Sequence, residues 1–460
     1  MPPTSTYRDC VTRTSKIATS SRVGRPGRGT PQARRRPIAR LPSVFAIATI
    51  VAATFSVTPL CFNAFATTTH GSSNPAKGLF IRGVNGVRYG VRTAIRVLSF
   101  DASQYHLAIG LANNAVDGSL QTPSSMCRGL AGCVAAVNGD YYDVTRVGRA
   151  DPGDEVGGVI QNCVLLHTPE IAHQQADLDG QRVSQGMDWS VNVNIHGVTV
   201  PITAVNQELP MQYLNVNLPL AGNLLFTTPF VLRTPAAAGR STYEFIQVSN
   251  TSSPTTSTTA ISSTSTTMGP TTSTTTGSTT TSTTLPLTNS TTSPTTINTS
   301  TELEYVAQTT KAVRIRAGQV DISAPTGSLF ATLQIGDTVT LSTTSKSGCN
   351  NIGGHPILLS NGSVVPIDVA DTYMAQRYPR TVIGWTASGS TVIMIVEGVD
   401  GKSGATGRQL VRLLQSLNVV TALDLDGGDS TSLYAKGHSY YHAGQSERPV
   451  STGLLVVKTR

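Results

Sequence analysis

Two aspartates and a pair of glycines near the C-terminus constrain the fold more than any other part of the sequence. Residues 421–433, TALDLDGGDSTSL, alternate apolar and polar side chains and then turn at Gly427 and Gly428. Alternation with a period of two predicts a strand, on which Asp424 and Asp426 share one face, roughly 6.6–7 Å apart along the chain. Carboxylates at a strand end before a glycine turn are typical of ligand sites in open sheets. A solvated acidic turn is the other interpretation of this segment.

The residues before this strand predict another strand and a helix. A strand-like apolar run ends at Glu397, and leucines recur at helical spacing between 410 and 417, after a capping box formed by Thr406 and Gln409. A strand, a helix and a strand at this spacing predict a βαβ unit with parallel strands, whose carboxyl ends meet at one edge of the sheet. We therefore expect Glu397 and Asp400 at the same edge as the aspartates of the next strand.

Two earlier motifs carry polar groups into predicted turns. Asn138 and Gly139 follow a short apolar strand and are first of all a turn signal, but the DYYD that comes next is unusual for a plain hairpin. Arg377 and Arg380 flank a proline-fixed turn and form a candidate anion clamp. The alternative for Arg380 is a salt bridge to Asp426.

The formal charge of +8 comes from the first 66 residues. They contain ten Lys or Arg and one Asp, which leaves 24 basic and 25 acidic residues in the rest of the chain. A basic stretch and a mostly apolar run ending in Ala-Phe-Ala predict a signal peptide cut after Ala66; an uncleaved anchor is the alternative. We expect a secreted or envelope-associated protein with no nucleic-acid partner, in contact with a membrane only through an uncleaved leader.

The four cysteines that follow the leader predict disulfides. An even number in an exported chain indicates two bridges, for which three pairings are possible. Our first expectation is Cys127–Cys133, which closes a short loop and leaves Cys163 to pair with Cys349. A zinc site is the weaker interpretation, because no CxxC pair or matching histidine spacing is present.

A Ser/Thr-rich tract interrupts the chain at residues 249–301. It has too little apolar surface to order itself, and a linker or a glycosylated stalk is the usual interpretation. Strand-like sequence resumes at Tyr305 without a new start, so we interpret the tract as a disordered insertion in a surface loop. The expected domains are the leader at 1–66 and one domain at 79–460 that contains the insertion. The expected fold class is α+β: mixed sheets, few helices and the C-terminal βαβ unit.

Four motifs together resemble the phosphodiester glycosidase family. In the order seen in that family they are NGDYY at 138–142, GGHP at 353–356, RYPRT at 377–381 and DLDGGDS at 424–430. The resemblance runs from about residue 79 to residue 457 and spans the Ser/Thr tract, which supports the insertion interpretation. The family patterns are usually NGGFF, GGGP, RHPRT and NLDGGGSS, so Asp429 adds a negative charge to the glycine turn.

The resemblance implies a hydrolase that cleaves the bond between a sugar C1 and a phosphodiester on cell-envelope or extracellular glycans, without a cofactor. A carboxylate near C1 would stabilise an oxocarbenium-like sugar, and we expect Asp426 in this role, with Asp424 or Glu397 handling water. The phosphate oxygens need cations or N–H donors. The expected binding residues for the sugar-phosphate or glycan substrate are Arg380, Asn138, Gly139, Gly427, Gly428 and Ser430.

Other functions remain open at this point. The main rival is a non-catalytic cell-envelope module that binds anionic glycans. A nucleophilic-serine hydrolase is disfavoured, because Ser430 lacks a G-x-S-x-G motif and the histidines show no telling arrangement. The metal requirement is undetermined, because one more acidic group is either a solvated loop or a set of oxygen ligands for a divalent cation. That group comprises Asp143, Asp151, Asp154 and Glu155.

Overall fold

The structure is a computed structural model that describes residues 72–116, 118–143, 153–169, 173–207, 222–228, 230, 234, 238–248, 255–257, 296–368 and 371–459. All of these residues lie in the unit Thr68–Arg460. The expected leader at 1–66 and most of the Ser/Thr tract lie outside the described residues. No helix in the described part of the chain has the length and apolar character needed to cross a bilayer.

The predicted C-terminal strands lie in an eight-stranded sheet. Its order is β1 (Ser72–Ala76), β2 (Leu79–Val84), β3 (Ile95–Phe100), β23 (Thr391–Val396), β22 (Arg380–Thr386), β24 (Val419–Asp424), β20 (Ile357–Ser360) and β21 (Ser363–Val364). Strands β22, β23 and β24 are buried along almost their whole length. Burial on both faces suits runs of Val, Ile and Leu that do not alternate with polar residues.

The described residues contain three α-helices and four short 3-10 turns. The helices are α1 (Pro123–Gly129), α2 (Thr372–Ala375) and α3 (Gly407–Ser416), and the turns are Val87–Tyr89, Ala112–Asn114, Leu329–Thr332 and Gly428–Ser430. Helix α3 begins with the expected capping box: Gln409 N–H donates to Thr406 Oγ1, and Thr406 N–H donates to Gln409 Oε1 at 2.9 Å. Leucines of α3 pack against the eight-stranded sheet in one apolar cluster.

Strand β22 lies between the two strands of the predicted βαβ unit. Both β23 and β24 pair antiparallel with β22, so they run in the same direction without being neighbours. Arg380 at the start of β22 pairs with Val396 at the end of β23, and Asp424 at the end of β24 pairs with Val382. One edge of the sheet therefore carries the start of β22 and the ends of the other two strands.

Two five-stranded sheets share a core with the eight-stranded sheet. One has the order β26 (His438–His442), β25 (Ser432–Ala435), β5 (Cys133–Asn138), β27 (Thr452–Lys458) and β4 (Tyr105–Leu111). The other has the order β7 (Val164–His167), β6 (Val159–Gln161), β19 (Asn351–Gly354), β8 (Gln174–Asp177) and β9 (Arg182–Ser184). Leu423, Val137 and Ile352 represent the three sheets in this common cluster.

A nine-stranded sheet builds a second core. Its order is β11 (Val198–Ile202), β10 (Trp189–Ile195), β18 (Thr338–Ser345), β16 (Thr296–Thr309), β14 (Arg240–Gln247), β17 (Gln319–Pro325), β13 (Leu224–Phe226) and β12 (Ala204–Val205), with β15 (Thr255–Ser257) beside β16. Phe245, Tyr305 and Phe330 are among the buried side chains of its apolar cluster. The two ends of the Ser/Thr tract enter this sheet as β15 and the first part of β16, so those ends are strand and not disordered insertion.

Two disulfides bridge the described cysteines. Cys127 bonds Cys133, and Cys163 bonds Cys349. This confirms the expected pairing. The second bridge joins residues 186 positions apart in the sequence, and Cys163 N–H also donates to the Cys349 carbonyl at 2.8 Å. The fold as a whole is mostly sheet, as the α+β interpretation with few helices requires.

Candidate active site

The predicted site residues come from the ends of strands in two different sheets. Asn138 ends β5, and its side chain reaches across to the glycine turn: Nδ2 donates to the Asp426 carbonyl at 2.6 Å. Its Oδ1 accepts from Thr381 Oγ1 at 2.7 Å and from Ser432 N–H at 3.3 Å. The side chain is fully buried, so Asn138 joins β5, β22 and the turn, and its described contacts are with protein.

The Arg380 and Asp424 side chains form a buried ion pair. Both are inaccessible to solvent, and Arg380 Nη1 donates to Asp424 Oδ2 at 3.1 Å. The alternative that paired Arg380 with Asp426 is therefore wrong. Asp426 belongs to the turn beyond the strand, whereas Asp424 faces the arginine from within the sheet.

Every N–H of the Arg380 guanidinium has a protein partner. Nε donates to the Ala405 carbonyl at 3.2 Å, Nη2 to the carbonyls of Tyr373 and Gln376 at 2.7 and 3.5 Å, and Nη1 to Met374 Sδ at 3.2 Å besides Asp424. A guanidinium has five N–H donors, and these contacts use all of them. Arg380 thus holds Asp424, α2 and the chain before α3, and a direct bond to a substrate anion would break one of these contacts.

Burial and ion pairing act in opposite directions on this pair. Burial raises the pKa of Asp424 to about 7, even though Arg380 lowers it. Burial lowers the pKa of Arg380, but Tyr373 and Asp424 outweigh it and the net pKa is raised. The Tyr373 ring lies 4.1 Å from the Arg380 guanidinium carbon, so a cation–π contact supports the pair.

The glycine turn is held by contacts with its own neighbours. Gly427 N–H donates to Asp426 Oδ1 at 2.9 Å, and Gly428 N–H donates to the Pro379 carbonyl at 3.0 Å. A Cβ at Gly427 would lie 2.2 Å from Tyr373 Oη, so only glycine fits there. The N–H groups expected to bind an anion are therefore already bonded. Gly139 plays a similar part, since its carbonyl accepts from Asp426 N–H at 3.0 Å.

Asp426, which we expect to be the primary catalytic carboxylate, is half-buried. Burial raises its pKa to about 7, while the Ser430 hydroxyl and the positive charge of Arg448 lower it and Asp140 raises it further. Ser430 is 1% exposed, and its Oγ makes no hydrogen bond of standard geometry with the described residues. Burial therefore makes Asp426 a weaker acid than an exposed aspartate, and the Ser430 side chain lies close enough to act on it.

More acids lie on the outer side of the glycine turn. A Cβ at Gly428 would lie 3.1 Å from both carboxylate oxygens of Asp400. Burial and the charge of Asp429 raise the pKa of Asp400 to about 6. Glu397 lies on this rim but is bound to Arg96, with Nε donating to Oε1 at 2.6 Å. Glu397, Asp400 and Asp429 all raise the pKa of the Tyr441 hydroxyl, which places the three acids around that residue.

Sequence reasoning missed a buried aspartate–histidine pair. His173 Nε2 lies 3.0 Å from Asp140 Oδ1, and both side chains are at most 1% exposed. A Cβ at Gly157 or Gly353 would lie 1.9 Å from Asp140 Oδ2, so two glycines make room for this carboxylate. The expectation of uninformative histidines is therefore wrong for His173. The only sequence signal was the aspartate at a position where the family usually has glycine.

Two more side chains at the site had no role in the sequence prediction, although His355 stands where the family motif usually has glycine. Tyr373 Oη is buried beside Gly427 and has no partner among the described residues, and burial raises the pKa of this phenol well above its ordinary value. His355 Nε2 lies 3.5 Å from Asp371 Oδ2 at the surface. Both tyrosine and histidine lie several residues from the motif positions that carry acids, and only the folded chain brings them to the turn.

The additional acidic group is only partly described. Asp151 lies outside the described residues, while Asp154 and Glu155 are buried and His167 Nε2 lies 3.8 Å from Asp154 Oδ1. Burial lowers the pKa of His167 to about 4, so this histidine is neutral at pH 7. In the described part of the chain, no group of three or more His, Cys, Asp or Glu is arranged to hold a metal ion.

The C-terminal part of the chain is similar in sequence to a known family. Residues 277–457 match the sequence model of the phosphodiester glycosidase family, and this match confirms the resemblance seen in the motifs. The matched segment contains β22–β25, the Arg380–Asp424 pair and the glycine turn. The motif at 138–142 precedes it and joins the site through the Asn138 contacts.

Solved structures share the fold at low sequence identity. A hypothetical protein from Synechocystis has a TM-score of 0.59 and 16% identity; the match covers 86% of this chain and 65% of that protein, less than two thirds of its length. A Burkholderia pseudomallei K96243 protein named "putative exported protein" has a TM-score of 0.54 and 14% identity, with 79% and 74% covered.

A zebrafish structure is more distant. It is the catalytic domain of N-acetylglucosamine-1-phosphodiester alpha-N-acetylglucosaminidase, auto-inhibited by its pro-peptide, at 12% identity and a TM-score of 0.33, with 83% and 78% covered. That score is too low to support an argument about this chain. No curated protein sequence matches the chain.

Proposed function

We propose that the protein is an exported glycosidase that hydrolyses the bond between a sugar C1 and a phosphodiester oxygen, on cell-envelope or extracellular glycans. The family signature at 277–457 supports the reaction class. The substrate class is inferred from the chemistry of the site, in which one half-buried carboxylate lies beside further acids, hydroxyls and aromatic rings.

The observation that carries the proposal is the state of Asp426. It is half-buried, burial raises its pKa to about 7, and its Oδ1 is fixed by Gly427 N–H at 2.9 Å. A carboxyl group that titrates near the working pH is suited to exchange a proton during a reaction. The Asn138 and Gly139 contacts to the Asp426 main chain hold this carboxylate in a fixed position.

The reaction needs little acid catalysis, because a phosphodiester anion is a good leaving group. As the bond between C1 and oxygen breaks, the phosphate leaves with the electron pair and positive charge builds on the sugar. The ionised Asp426 stabilises this charge, and a water molecule then adds to C1 and gives its proton to a carboxylate. Asp424 is fully buried and bonded to Arg380, so in this proposal it positions the turn and does not touch the sugar.

Glu397 differs from Asp426 in having an ion-pair partner, Arg96. Its carboxylate is held by Arg96 on the rim that also carries Asp400 and Tyr441. This position suits contact with the sugar hydroxyls or the aglycone. We therefore assign water activation to Asp426 and leave Glu397 a binding role.

Export is supported by two kinds of observation. The chain forms two disulfides, which persist in oxidising compartments outside the cytoplasm. A protein that shares its fold is named as exported. Together with the basic, apolar leader ending in Ala-Phe-Ala, these support a secreted or envelope-associated location.

A second candidate is a non-catalytic module that binds anionic glycans in the cell envelope. The observation that favours it is the bonding of the expected anion ligands: Arg380 and the Gly427 and Gly428 N–H groups all have protein partners. Asp429 and Asp400 also add negative charge to the turn, where the family usually has glycine at the first of these positions.

A panel of sugar 1-phosphodiesters tests the two candidates. We expect the full secreted chain to release the sugar, and Asp426→Asn and Asp426→Ala to lower kcat by about 10³-fold or more, within the range set by general acid–base groups. Asp321→Asn is the matched control, because Asp321 is also buried with its pKa raised to about 6 but lies in the nine-stranded sheet. It should retain full activity.

The opposite outcomes separate the candidates. Binding of the phosphodiesters without release of sugar, unaffected by Asp426→Asn, would establish the binding module. Turnover that survives Asp426→Ala would refute the assignment of Asp426.

A further inference from the structure

The proposed substrate is anionic, so its site needs a cation with unused donors. Arg380 does not meet this need because its five N–H groups are bonded within the protein. Arg448 does: in the described part of the chain it makes no hydrogen bond or salt bridge, and its side chain is half-buried. Its guanidinium carbon lies 5.8 Å from the centre of the Tyr142 ring.

The residues on both sides of Arg448 are fixed. Glu447 accepts from Ser124 N–H at 2.9 Å and from the Ser124 hydroxyl. The Pro449 carbonyl accepts from Tyr142 Oη at 2.9 Å. Val450 N–H donates to the Gln121 carbonyl at 3.0 Å, and its own carbonyl accepts from Gln121 N–H at 2.9 Å. An arginine whose neighbours are held in this way loses little conformational freedom when it binds a ligand.

Arg448 faces the Tyr142 ring of the 138–142 motif, and that motif is bonded to the Asp426 main chain through Asn138 and Gly139. The charge of Arg448 lowers the pKa of both Asp426 and Asp400. The Ser430 side chain lowers the pKa of Asp426 and of Tyr142, the ring that Arg448 faces. Ser430 Oγ is buried and makes no hydrogen bond of standard geometry with the described residues. The charge of Arg448 and the Ser430 side chain therefore both act on the half-buried carboxylate of Asp426.

We propose that Arg448 and the Ser430 hydroxyl form an anion-binding subsite beside Asp426, which holds the phosphate of a sugar 1-phosphate or 1-phosphodiester. A guanidinium offers paired N–H donors to two phosphate oxygens, and a hydroxyl adds a third donor. With the phosphate held there, the carboxylate of Asp426 lies on the sugar side. The assignment of the phosphate to a leaving group rests on the proposed function, whereas anion binding at this subsite does not.

Calorimetric titration with inorganic phosphate and with glucose 1-phosphate tests the subsite on the full chain. We expect Arg448→Gln to weaken binding of both about 10- to 100-fold, the range for losing a charged hydrogen-bond partner. Arg448→Lys keeps the charge without the paired donors and should lie between that variant and the wild type. Arg128→Gln is the matched control: this exposed arginine also faces an aromatic ring, Tyr434, at 5.6 Å, and its loss should leave binding unchanged.

Failure of this subsite is distinguishable from failure of the glycosidase proposal. Wild-type protein that binds neither probe, or Arg448→Gln protein that binds as tightly as wild type, overturns the subsite whatever the activity. Binding that depends on Arg448 without any release of sugar supports the subsite and refutes the glycosidase. Hydrolysis of sugar 1-phosphodiesters with unchanged kcat/KM in Arg448→Gln supports the glycosidase and refutes the subsite.

Discussion

The charged side chains on the two sides of the glycine turn differ in whether they are paired with an opposite charge. On the inner side, Arg380 and Asp424 are inaccessible to solvent, and each guanidinium N–H has a protein partner. On the outer side lie three acids and one arginine without an ion pair, which we call the outer group: Asp400, Asp426, Asp429 and Arg448. Only three residues lie between Asp424 and Gly428, yet the charges are paired on one side of the turn and unpaired on the other.

The difference separates residues that hold the site from residues that can act on a ligand. A buried ion pair with complete hydrogen bonding holds its side chains in one position. Removing one partner leaves an unpaired charge in the protein interior. Burial raises the pKa of Asp426 to about 7, and burial with the charge of Asp429 raises the pKa of Asp400 to about 6, so these two carboxyl groups can exchange protons or respond to the charge of a ligand. Three experiments test this difference between the two sides, and they are given in order of decreasing expected effect.

The largest effect is expected for the inner arginine. Arg380→Met removes the cation and leaves Asp424 and three main-chain carbonyls without their donor, so we expect the free energy of unfolding to fall by about 3–5 kcal/mol. Arg448→Met in the outer group should cost less than about 1 kcal/mol, because that arginine has no ion pair to lose. Urea unfolding monitored by circular dichroism measures both. Equal losses for the two variants would contradict the division into two sides.

A smaller effect is expected from the charge of Asp426. Its pKa is raised from 3.8 to about 7, so the folded state holds a proton that the unfolded state releases between those pH values. The resulting stability is fully present below about pH 4 and is lost as the pH rises through about 7. Asp426→Asn should therefore raise the free energy of unfolding at pH 8 by about 1–2 kcal/mol, after allowance for solvent screening of a half-buried group.

Asp424 provides the contrast for this measurement. Its pKa is also raised to about 7, but Asp424→Asn takes the anion from a buried arginine, so we expect destabilisation at pH 8 instead of a gain. Urea unfolding at pH 5 and pH 8 gives the comparison. If Asp426→Asn is no more stable than the wild type at pH 8, ionisation of Asp426 does not destabilise the folded protein.

The smallest effect is expected from the rim of the outer group. Asp400→Asn removes a like charge beside Asp429 and should tighten the binding of inorganic phosphate by about two- to fivefold at low salt, since the change in Coulomb energy is below about 1 kcal/mol. The gain should shrink in 0.5 M salt, because exposed charges are screened. Asp188→Asn is the control, because the Asp188 side chain is 68% exposed and belongs to the chain before β10. A gain of the same size there would show a general charge effect.

The local sequence pattern predicted the strands and the helix that carry the site residues. The apolar run ending before Glu397 and the capping box of α3 appear where the sequence placed them. The last strand also appears, but it ends at Asp424, so the prediction that Asp424 and Asp426 share one strand face is wrong. The disulfide pairing followed from the loop length between Cys127 and Cys133. The Ser/Thr tract is the counterexample: polar sequence pairs as β15 and as the first part of β16, because a sheet supplies hydrogen-bond partners that composition does not reveal.

The local sequence pattern could not predict which distant segments are in contact. Arg380 was expected to meet an anion, but its partners come from α2, from the chain before α3 and from Asp424. His173 reaches Asp140 across 33 residues, and Arg448 lies far from every motif. The pairing of hydrogen-bond donors with acceptors depends on strand order and side-chain packing. Neither can be predicted from the local sequence.

From the sequence we could predict a chain rich in strands, with acids at the end of a C-terminal strand before two glycines. Periodicity and turn chemistry are local properties, so they can be read without knowing the fold. Only the folded structure shows that Asp424 is buried against Arg380, whereas Asp426, two residues later, is half-buried and is affected by the charge of Arg448. The reason is physical: the strand ends at Asp424, so this carboxylate lies inside the sheet against Arg380, whereas Asp426 lies in the turn beyond the sheet.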